Sequence, residues 1–303
     1  CSPVEIKAIF DFAQFSIHVA GLTKRGGQME NRSLKFSATV AINASATSPV
    51  LFRGDLYGNI VKSKEYGFDA VELHIRNPEE IDAKEVNEIC FKIGSVISTI
   101  GTGMSYTFDG LSLTDLDAQK RNEALKRLKG YIDLAEKLNC GVIIGSMRGK
   151  INPEYYEKHM AVYGKSLLET AHYAQRKGVP VYLEAINRYE INFHNTIEEM
   201  VSYIESLGNL GVKLLADTFH MNIEEPSIEN SIRKYGKYIG HIHFADSNRR
   251  YPGAGHIDFA AIINTLKETG YSGYVAFEYL PYPDPDTAAQ KGIGYIRMLV
   301  NKY

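Results

Sequence analysis

The sequence lacks the features of proteins that bind membranes or nucleic acids. It has no apolar run of about 18 residues, the length that a membrane-spanning helix needs, and so it predicts no transmembrane helix. It also has no long run of Lys or Arg, and its formal net charge is -2. These absences argue against nucleic acid and against an anionic membrane surface as partners. A small molecule is the expected partner.

Cysteine is scarce. The chain has only Cys1, Cys90 and Cys140, and their spacing does not match a thiolate metal site. Cys90 falls within a helical pattern and Cys140 at the start of a strand pattern, where reduced core thiols are common. This usage favours the cytoplasm as the compartment.

The first part of the chain lacks the alternating pattern of the rest. Residues 8–22 are fairly apolar, but Asp11, Gln14 and His18 interrupt them and no basic region precedes them. A secretory signal is therefore disfavoured. We expect residues 1–30 to be an extension outside the core fold and residues 31–303 to form one catalytic domain.

Another absence bears on the fold: no Gly-rich phosphate loop follows the first strand pattern, whereas a doubly wound sheet usually has one. From Leu34 onward, short β-branched runs alternate with longer helical patterns, which is typical of a parallel sheet wrapped by helices. Strands are predicted near residues 34–41, 69–74, 95–101, 140–145, 179–184, 212–217, 238–244 and 273–278. Helices are predicted near residues 55–66, 82–93, 117–139, 153–177, 196–207, 227–236, 258–269 and 286–301. Residues that suit the N-cap position precede five of the helices, namely Asp55, Asp82, Asn195, Ser227 and Asp258. Eight such pairs predict a closed (β/α)8 TIM barrel.

Four consecutive predicted strands end in a side chain that can bind a metal, namely Glu184, Asp217, His243 and Glu278. The carboxyl ends of barrel strands are where such enzymes place their chemistry. Converging there, the four groups would carry a charge of about -3 with the imidazole neutral, and they would repel one another without a cation. Any one of them alone could be a helix cap or a salt-bridge partner. Together they predict a site for Mn²⁺, Mg²⁺ or Co²⁺ rather than a thiolate-bound structural Zn²⁺.

The segments after these strands are rich in polar residues that suit a polyhydroxylated ligand. Glu190, His220 and Arg249 are the strongest candidates, because many fixed donors and acceptors discriminate the hydroxyl configurations of a sugar. Loop hydrogen bonding explains other polar residues there equally well. His241 fits a structural role one layer below His243.

Two further arginines follow predicted strands. Arg76 and Arg148 would stand at the barrel mouth and would suit an anionic substituent at one end of a sugar, because Arg binds a carboxylate or phosphate in bidentate geometry. Solvated charges that face local acids are the alternative.

Several motifs carry a resemblance that spans residues 34–301. They are Leu183-Glu184 with Asn187-Arg188-Tyr189-Glu190, the run from Asp217 to Glu225, His241-Ile242-His243, Ser247-Asn248-Arg249 and Pro252-Gly253. These motifs resemble the ketose 3-epimerases of the xylose-isomerase-like TIM barrels. The resemblance implies that Glu184, Asp217, His243 and Glu278 bind a divalent metal, with Mn²⁺ favoured. It implies that Glu190, His220 and Arg249 hold substrate oxygens, and that the enzyme forms dimers or tetramers.

Within that family the chain looks most like the 5-keto-L-gluconate epimerases of inositol catabolism. Gly101-Thr102-Gly103, residues 109–114 and residues 143–145 ahead of Arg148 are similar to that branch. The chain has no tryptophan, and Asp246 stands where the free-ketose enzymes tend to carry glutamate. The resemblance therefore implies a keto-uronate rather than a free ketohexose as substrate.

The expected reaction is inversion of a carbon next to a ketone. One of Glu184 and Glu278 would remove the proton to give a cis-enediolate, and the other would return a proton to the opposite face. The sequence leaves open which glutamate faces which side of the sugar. The alternatives are a metal-dependent lyase or deglycosidase, an aldose–ketose isomerase, a DNA endonuclease with a multi-metal cluster, and a sugar-binding protein without activity.

Overall fold

The structure is a computed structural model, and it describes residues 34–208 and 210–302. The predicted extension, residues 1–30, lies outside the described residues, as does the start of the predicted domain 31–303. Both boundaries stay predictions.

The strands of the described residues form a closed parallel barrel. They are β1 (Lys35–Ala41), β2 (Phe52–Arg53), β3 (Ala70–His74), β4 (Ile97–Gly101), β5 (Gly141–Ile144), β6 (Val181–Glu184), β7 (Val212–Asp217), β8 (Ile239–Phe244) and β9 (Tyr274–Phe277). Strands β1 and β3 to β9 pair in sequence order, and β9 pairs with β1 to close the ring. The two-residue strand β2 is an addition that pairs with β1. The predicted eight-stranded TIM barrel is confirmed.

The helices follow the strands and cover the barrel. They are α1 (Leu56–Glu65), α2 (Ala83–Ile93), α3 (Gly103–Asp109), α4 (Ala118–Leu138), α5 (Tyr156–Lys177), α6 (Ile197–Ser206), α7 (Thr218–Glu224), α8 (Ile228–Tyr235), α9 (Phe259–Glu268) and α10 (Pro285–Lys302). The eight predicted helices are all present. Short helices α3 and α7, which follow β4 and β7, were not predicted. Among the described helices, none combines the length and the apolar character that crossing a membrane requires.

The N-caps agree with the prediction at four of five helices. Asp55, Asp82, Ser227 and Asp258 each accept a hydrogen bond from a backbone N–H of the first turn. Asn195 was predicted wrongly, because Thr196 caps α6. The Asn195 side chain is not available as a cap, because it donates to backbone carbonyls of the preceding loop.

Aromatic rings pack where the barrel closes. Because side chains alternate along a strand, Phe277 points away from the interior that Ala276 faces. Its ring makes edge contacts with Phe36 on β1 and with Phe68, at centroid distances of 5.8 and 5.2 Å. All three rings are buried, and each contributes roughly 1.5–3 kcal/mol through burial. This packing fixes the last strand against the first, and so fixes the height of the residue that follows Phe277.

Candidate metal centre and active site

Four strand ends bring together, at the barrel mouth, four side chains that could bind a metal. Glu184 and Asp217 are the last residues of β6 and β7, His243 lies in β8, and Glu278 directly follows β9. The register places His243 opposite Asp217 on one side and opposite Ala276 on the other. One ligand atom from each of the four lies within 4.8 Å of the others, and all four residues are buried. The predicted convergence is found in the structure.

His243 stands at the centre of the cluster. Its Nδ1 atom lies 4.0 Å from Oε1 of Glu184, 3.8 Å from Oδ2 of Asp217 and 3.6 Å from Oε2 of Glu278. Metal–ligand distances of about 2.1 Å place neighbouring ligand atoms roughly 3.0 to 3.4 Å apart. A small inward movement of these side chains would therefore bring their ligand atoms to the spacing that a bound cation requires.

Unpaired polar atoms also fit a cation. Oδ2 of Asp217 and Nδ1 of His243 are buried and have no hydrogen-bond partner. An unpaired buried polar atom costs roughly 1–3 kcal/mol, and a bound ion removes that cost. Three carboxylates and one imidazole suit hard or borderline divalent cations such as Mn²⁺, Mg²⁺ and Co²⁺.

Burial and the neighbouring charges shift the pKa values of the four residues. Burial and the charge of Glu278 raise the pKa of Glu184 well above its ordinary value, and the same two causes raise the pKa of Asp217 to about 7. Burial opposes the charge of His243, but the carboxylates of Glu72 and Glu278 outweigh it and raise the pKa of the imidazole. Burial alone would raise the pKa of Glu278, yet the charge of His243 lowers it. A cation would displace the protons that this arrangement retains.

The backbone at Gly145, just after β5, lies very close to the carboxylate of Glu184. A Cβ atom at Gly145 would lie 2.2 Å from Oε2 of Glu184. Only glycine lets the end of β5 pass so near to this side chain. Substitution of Gly145 would therefore displace Glu184 from the cluster.

His220 lies beside the cluster on helix α7. The amide Nδ2 of Asn187 donates to Nδ1 of His220 at 2.7 Å, so the ring proton is on Nε2. That Nε2 atom lies 3.5 Å from Oε1 of Glu184. Burial, together with the charge of Arg249, holds the pKa of His220 well below its ordinary value. His220 is therefore a neutral imidazole that presents an N–H group to the site.

Arg249 and Glu190 form a pair beside His220. Nη1 of Arg249 donates to Oε1 of Glu190 at 2.7 Å, and Nη2 lies 3.7 Å from Oε2 of Glu278. The guanidinium also lies over the ring of Phe219, 4.7 Å from its centroid. Arg249 has a φ of +57°, a strained backbone conformation that the surrounding loop holds in place. Of the three substrate-binding candidates, His220 and Arg249 thus border the four-residue cluster directly, and Glu190 is joined to it through Arg249.

A buried aspartate holds the Arg249 loop. Asp246 is fully buried and accepts three backbone hydrogen bonds, from Ser247, Gly253 and Ile257, at 2.7, 2.8 and 3.1 Å. Its own carbonyl accepts from the N–H of Arg249 at 2.7 Å. Asp246 therefore acts on the site through the loop.

The two other predicted arginines do not join the cluster. The Arg76 side chain is 48% exposed and pairs with Asp109. Arg148 is fully buried, lies 5.0 Å from the centroid of the Phe193 ring, and donates to the Phe193 carbonyl. Neither side chain contacts a metal-ligand candidate directly. Their role toward an anionic substituent stays a prediction.

One site residue was missed from the sequence. Glu72 on β3 is fully buried in the layer below His243. Its carboxylate accepts hydrogen bonds from His74 at 2.8 Å, from His241 at 2.6 Å and from the Thr99 hydroxyl. Its Oε1 also lies 3.0 Å from Nε2 of His243. The sequence feature that could have identified it is a carboxylate within the apolar run Val71-Glu72-Leu73, because an acid is buried in a barrel interior only where hydrogen-bond donors surround it.

Comparisons with known proteins identify the family. The family model of the xylose isomerase-like TIM barrel matches residues 60–299. The chain is 34% identical to a D-psicose 3-epimerase of Ruminiclostridium cellulolyticum, over 72% of this chain and 76% of that protein. It is 29% identical to a 3-dehydro-D-guloside 4-epimerase of Escherichia coli, over 77% and 91%. The solved structure of a D-psicose 3-epimerase with D-tagatose from Clostridium cellulolyticum superimposes with a TM-score of 0.73 at 25% identity, covering 88% of this chain and 99% of that one.

The chain belongs to the xylose isomerase-like TIM barrel family, as its motifs predicted. Relatives that are 29–34% identical to it are named sugar epimerases, and the chain is an enzyme of the isomerase class, of the epimerase type.

Proposed function

We propose that this enzyme inverts the carbon next to the ketone of a keto sugar through a cis-enediolate. The observation that supports this most is the placement of two carboxylates on either side of one centre. Glu184 and Glu278 come from the outer two of four adjacent strands, with Asp217 and His243 between them. Inversion needs a base on one face of the substrate and an acid on the other.

The proposed cofactor is a divalent cation, with Mn²⁺ favoured over Mg²⁺ and Co²⁺. Glu184, Asp217, His243 and Glu278 would hold it, and when bound it would supply Lewis-acid polarisation of the ketone oxygen.

The protein's own groups would then move the proton. One of Glu184 and Glu278 would accept the proton from one face of the substrate, and the other would return a proton to the opposite face. In the reverse direction the roles exchange. The N–H of His220 and the guanidinium of Arg249 would bind the oxygens on which negative charge develops.

The proposed substrate is a keto-uronate such as 5-keto-L-gluconate, or a related ketose. The names of the relatives support the wider class: psicose and ribulose are ketoses, and 3-dehydro-D-guloside is a keto glycoside. The half-exposed guanidinium of Arg76 would pair with a substrate carboxylate in exchange for Asp109. The buried charge of Arg148, which lies within electrostatic reach of Glu184, would favour an anionic substrate.

Solvent deuterium exchange tests the proposal. The metal-supplied enzyme is incubated in D₂O with keto-uronates, ketoses and 3-keto glycosides, and products are analysed by NMR. Deuterium at the carbon beside the ketone, together with the epimer as product, is the expected result. Movement of the carbonyl would instead identify an aldose–ketose isomerase, and release of an aglycone would identify a lyase. Absence of exchange with every substrate would contradict the proposal.

A further inference from the structure

Beneath the metal centre, one buried carboxylate joins two distant strands. Glu72 lies on β3, and His241 and His243 lie on β8, 169 residues further along the chain for His241. Glu72 has no exposed surface, so its charge is balanced only by the groups that surround it. A buried carboxylate is kept in a protein interior only where hydrogen-bond donors satisfy it.

Three donors hold the Glu72 side chain in one orientation. His74 donates to Oε1, and His241 and the Thr99 hydroxyl share Oε2. Thr99 is the register partner of Glu72 on the neighbouring strand β4. The carboxylate is therefore fixed by neighbours on three different strands and cannot turn away from His243.

The imidazole of His243 points its two nitrogens at different partners. Nδ1 faces Glu184, Asp217 and Glu278, whereas Nε2 lies 3.0 Å from Oε1 of Glu72. The contact with Glu72 is at ion-pair distance and is not aligned as a hydrogen bond. Attraction of charge, rather than a directed bond, thus joins the two groups.

This arrangement decides which nitrogen is free to bind a cation. A neutral imidazole that binds through Nδ1 carries its proton on Nε2. The negative charge of Glu72 beside Nε2 favours the proton there, and it leaves the Nδ1 lone pair facing the three carboxylates. Outer partners of this kind orient a metal-binding imidazole and strengthen it as a ligand.

We propose that Glu72 is a positioning residue of the metal centre, which holds His243 with its Nδ1 lone pair toward the cation. The inference rests on the proposed metal-dependent function and adds a residue outside the four ligands. Glu72 makes no contact with substrate in this role. It acts only through His243.

A competing assignment places a second cation between Glu72, His241 and His243, whose ligand atoms also lie within 4.8 Å of one another. The contacts favour hydrogen bonding instead, because one oxygen of Glu72 already accepts from both His241 and Thr99. Metal stoichiometry separates the two assignments.

The test uses Glu72→Gln, which keeps the size of the side chain and removes its charge. The matched control is Asp69→Asn, a carboxylate just before the other end of β3 that bonds to Phe36 N–H and Arg297. Metal-stripped wild type and both variants are titrated with MnCl₂ by calorimetry. The visible spectrum of the Co²⁺ complex and the melting temperature of the metal-free protein are measured alongside.

Glu72→Gln is expected to weaken Mn²⁺ binding by roughly 10- to 100-fold and to shift the Co²⁺ spectrum. Asp69→Asn is expected to leave both unchanged. If Glu72→Gln binds Mn²⁺ as tightly as the wild type, Glu72 is only a core residue and the inference is overturned. Two ions per wild-type chain and one per Glu72→Gln chain would overturn it in favour of a second cation.

Glu72→Asp provides the test if the glutamine variant does not fold. It retains the charge but withdraws it from His243 by one methylene, so we expect weaker Mn²⁺ binding than in the wild type, and wild-type affinity would refute the role. A wild type that binds no divalent ion would instead contradict the metal centre itself. Failure of the inference and failure of the proposed function are therefore distinguishable.

Discussion

Arg249 donates a 2.7 Å hydrogen bond to Glu190, and this bond joins the segment after β8 to the segment after β6. The same guanidinium lies 3.7 Å from Glu278. Its position thus depends on two carboxylates, one on the rim and one in the metal centre. Substitution of either carboxylate should therefore shift Arg249 and change its contact with the other carboxylate.

The first prediction concerns this pair. Glu190→Gln and Arg249→Lys should each lower kcat/KM by roughly 10- to 100-fold, because a charge-assisted hydrogen bond is worth about 1.5–3 kcal/mol. The double variant should lose less than the product of the two single losses, since both remove one interaction. Arg188→Lys is the control, because Arg188 pairs with Glu224 and its side chain is 60% exposed. Strictly additive losses would show that the two side chains act independently.

The second prediction separates the two proposed bases. Glu184→Gln and Glu278→Gln should each lower the rate of epimer interconversion by about 10²- to 10⁴-fold, the usual contribution of a general acid or base. Each variant keeps one carboxylate, and so should exchange deuterium into only one of the two epimers. NMR of each pure epimer in D₂O measures this, at metal concentrations that saturate the variant. If both variants, with metal bound, exchange neither epimer, protons travel through another group, of which His220 is the nearest candidate.

The third prediction concerns pH and metal. Without metal, Asp217 has a pKa of about 7 against an ordinary value of 3.8, so between these pH values the folded protein binds more protons than the unfolded chain. Stability of the metal-free protein should therefore fall as the pH rises through this window. A cation displaces those protons, so the Mn²⁺ affinity should rise by about tenfold or more from pH 6 to pH 8.

Calorimetric titration at several pH values measures that slope, and thermal melts with and without Mn²⁺ measure the accompanying stabilisation. Asp217→Asn is the control, because the amide carries no such proton and its slope should be shallower. An affinity that does not depend on pH would mean that no proton leaves the site when the metal binds.

The fourth prediction concerns Asp246. Asp246→Asn leaves one oxygen to accept three backbone N–H groups and should cost roughly 1–3 kcal/mol of unfolding free energy. It should raise KM by loosening the loop of Arg249, and it should leave Mn²⁺ affinity intact. The matched control is Asp258→Asn, because Asp258 caps α9 and Asn serves as well at an N-cap. Denaturant unfolding and metal titration provide the measurements, and lost metal affinity in Asp246→Asn would mean that Asp246 acts on the metal centre and not on the loop.

Features set by local sequence were predictable. The strands were predicted from short β-branched runs. The residues at the ends of the last four strands then predicted the four-residue cluster, because parallel strands of a closed barrel place their carboxyl ends at one rim. Glu184 and Glu278 were found in this way although 94 positions separate them in the chain. The barrel supplied the proximity that the sequence alone does not display.

Features set by contacts across the barrel were not predictable. Glu72 was not predicted as a site residue, because its partner His241 lies 169 positions further along the chain. The full burial of Arg148 was not predictable either, because the Phe193 ring beside it comes from a segment 45 positions further along the chain. Helix α7 was not predicted, because the seven residues Thr218–Glu224 are too few to show a helical repeat of apolar residues.

The contact of Glu72 on β3 with His241 and His243 on β8 predicts how the protein would behave if it were split into two fragments. A cut between β5 and β6 would leave all four proposed metal ligands on one fragment and Glu72, which we propose positions His243, on the other. Tight uptake of Mn²⁺ would then require both fragments to reassemble into a complete ring. A split version of the enzyme would thus report its own reassembly through metal binding, before any sugar is added.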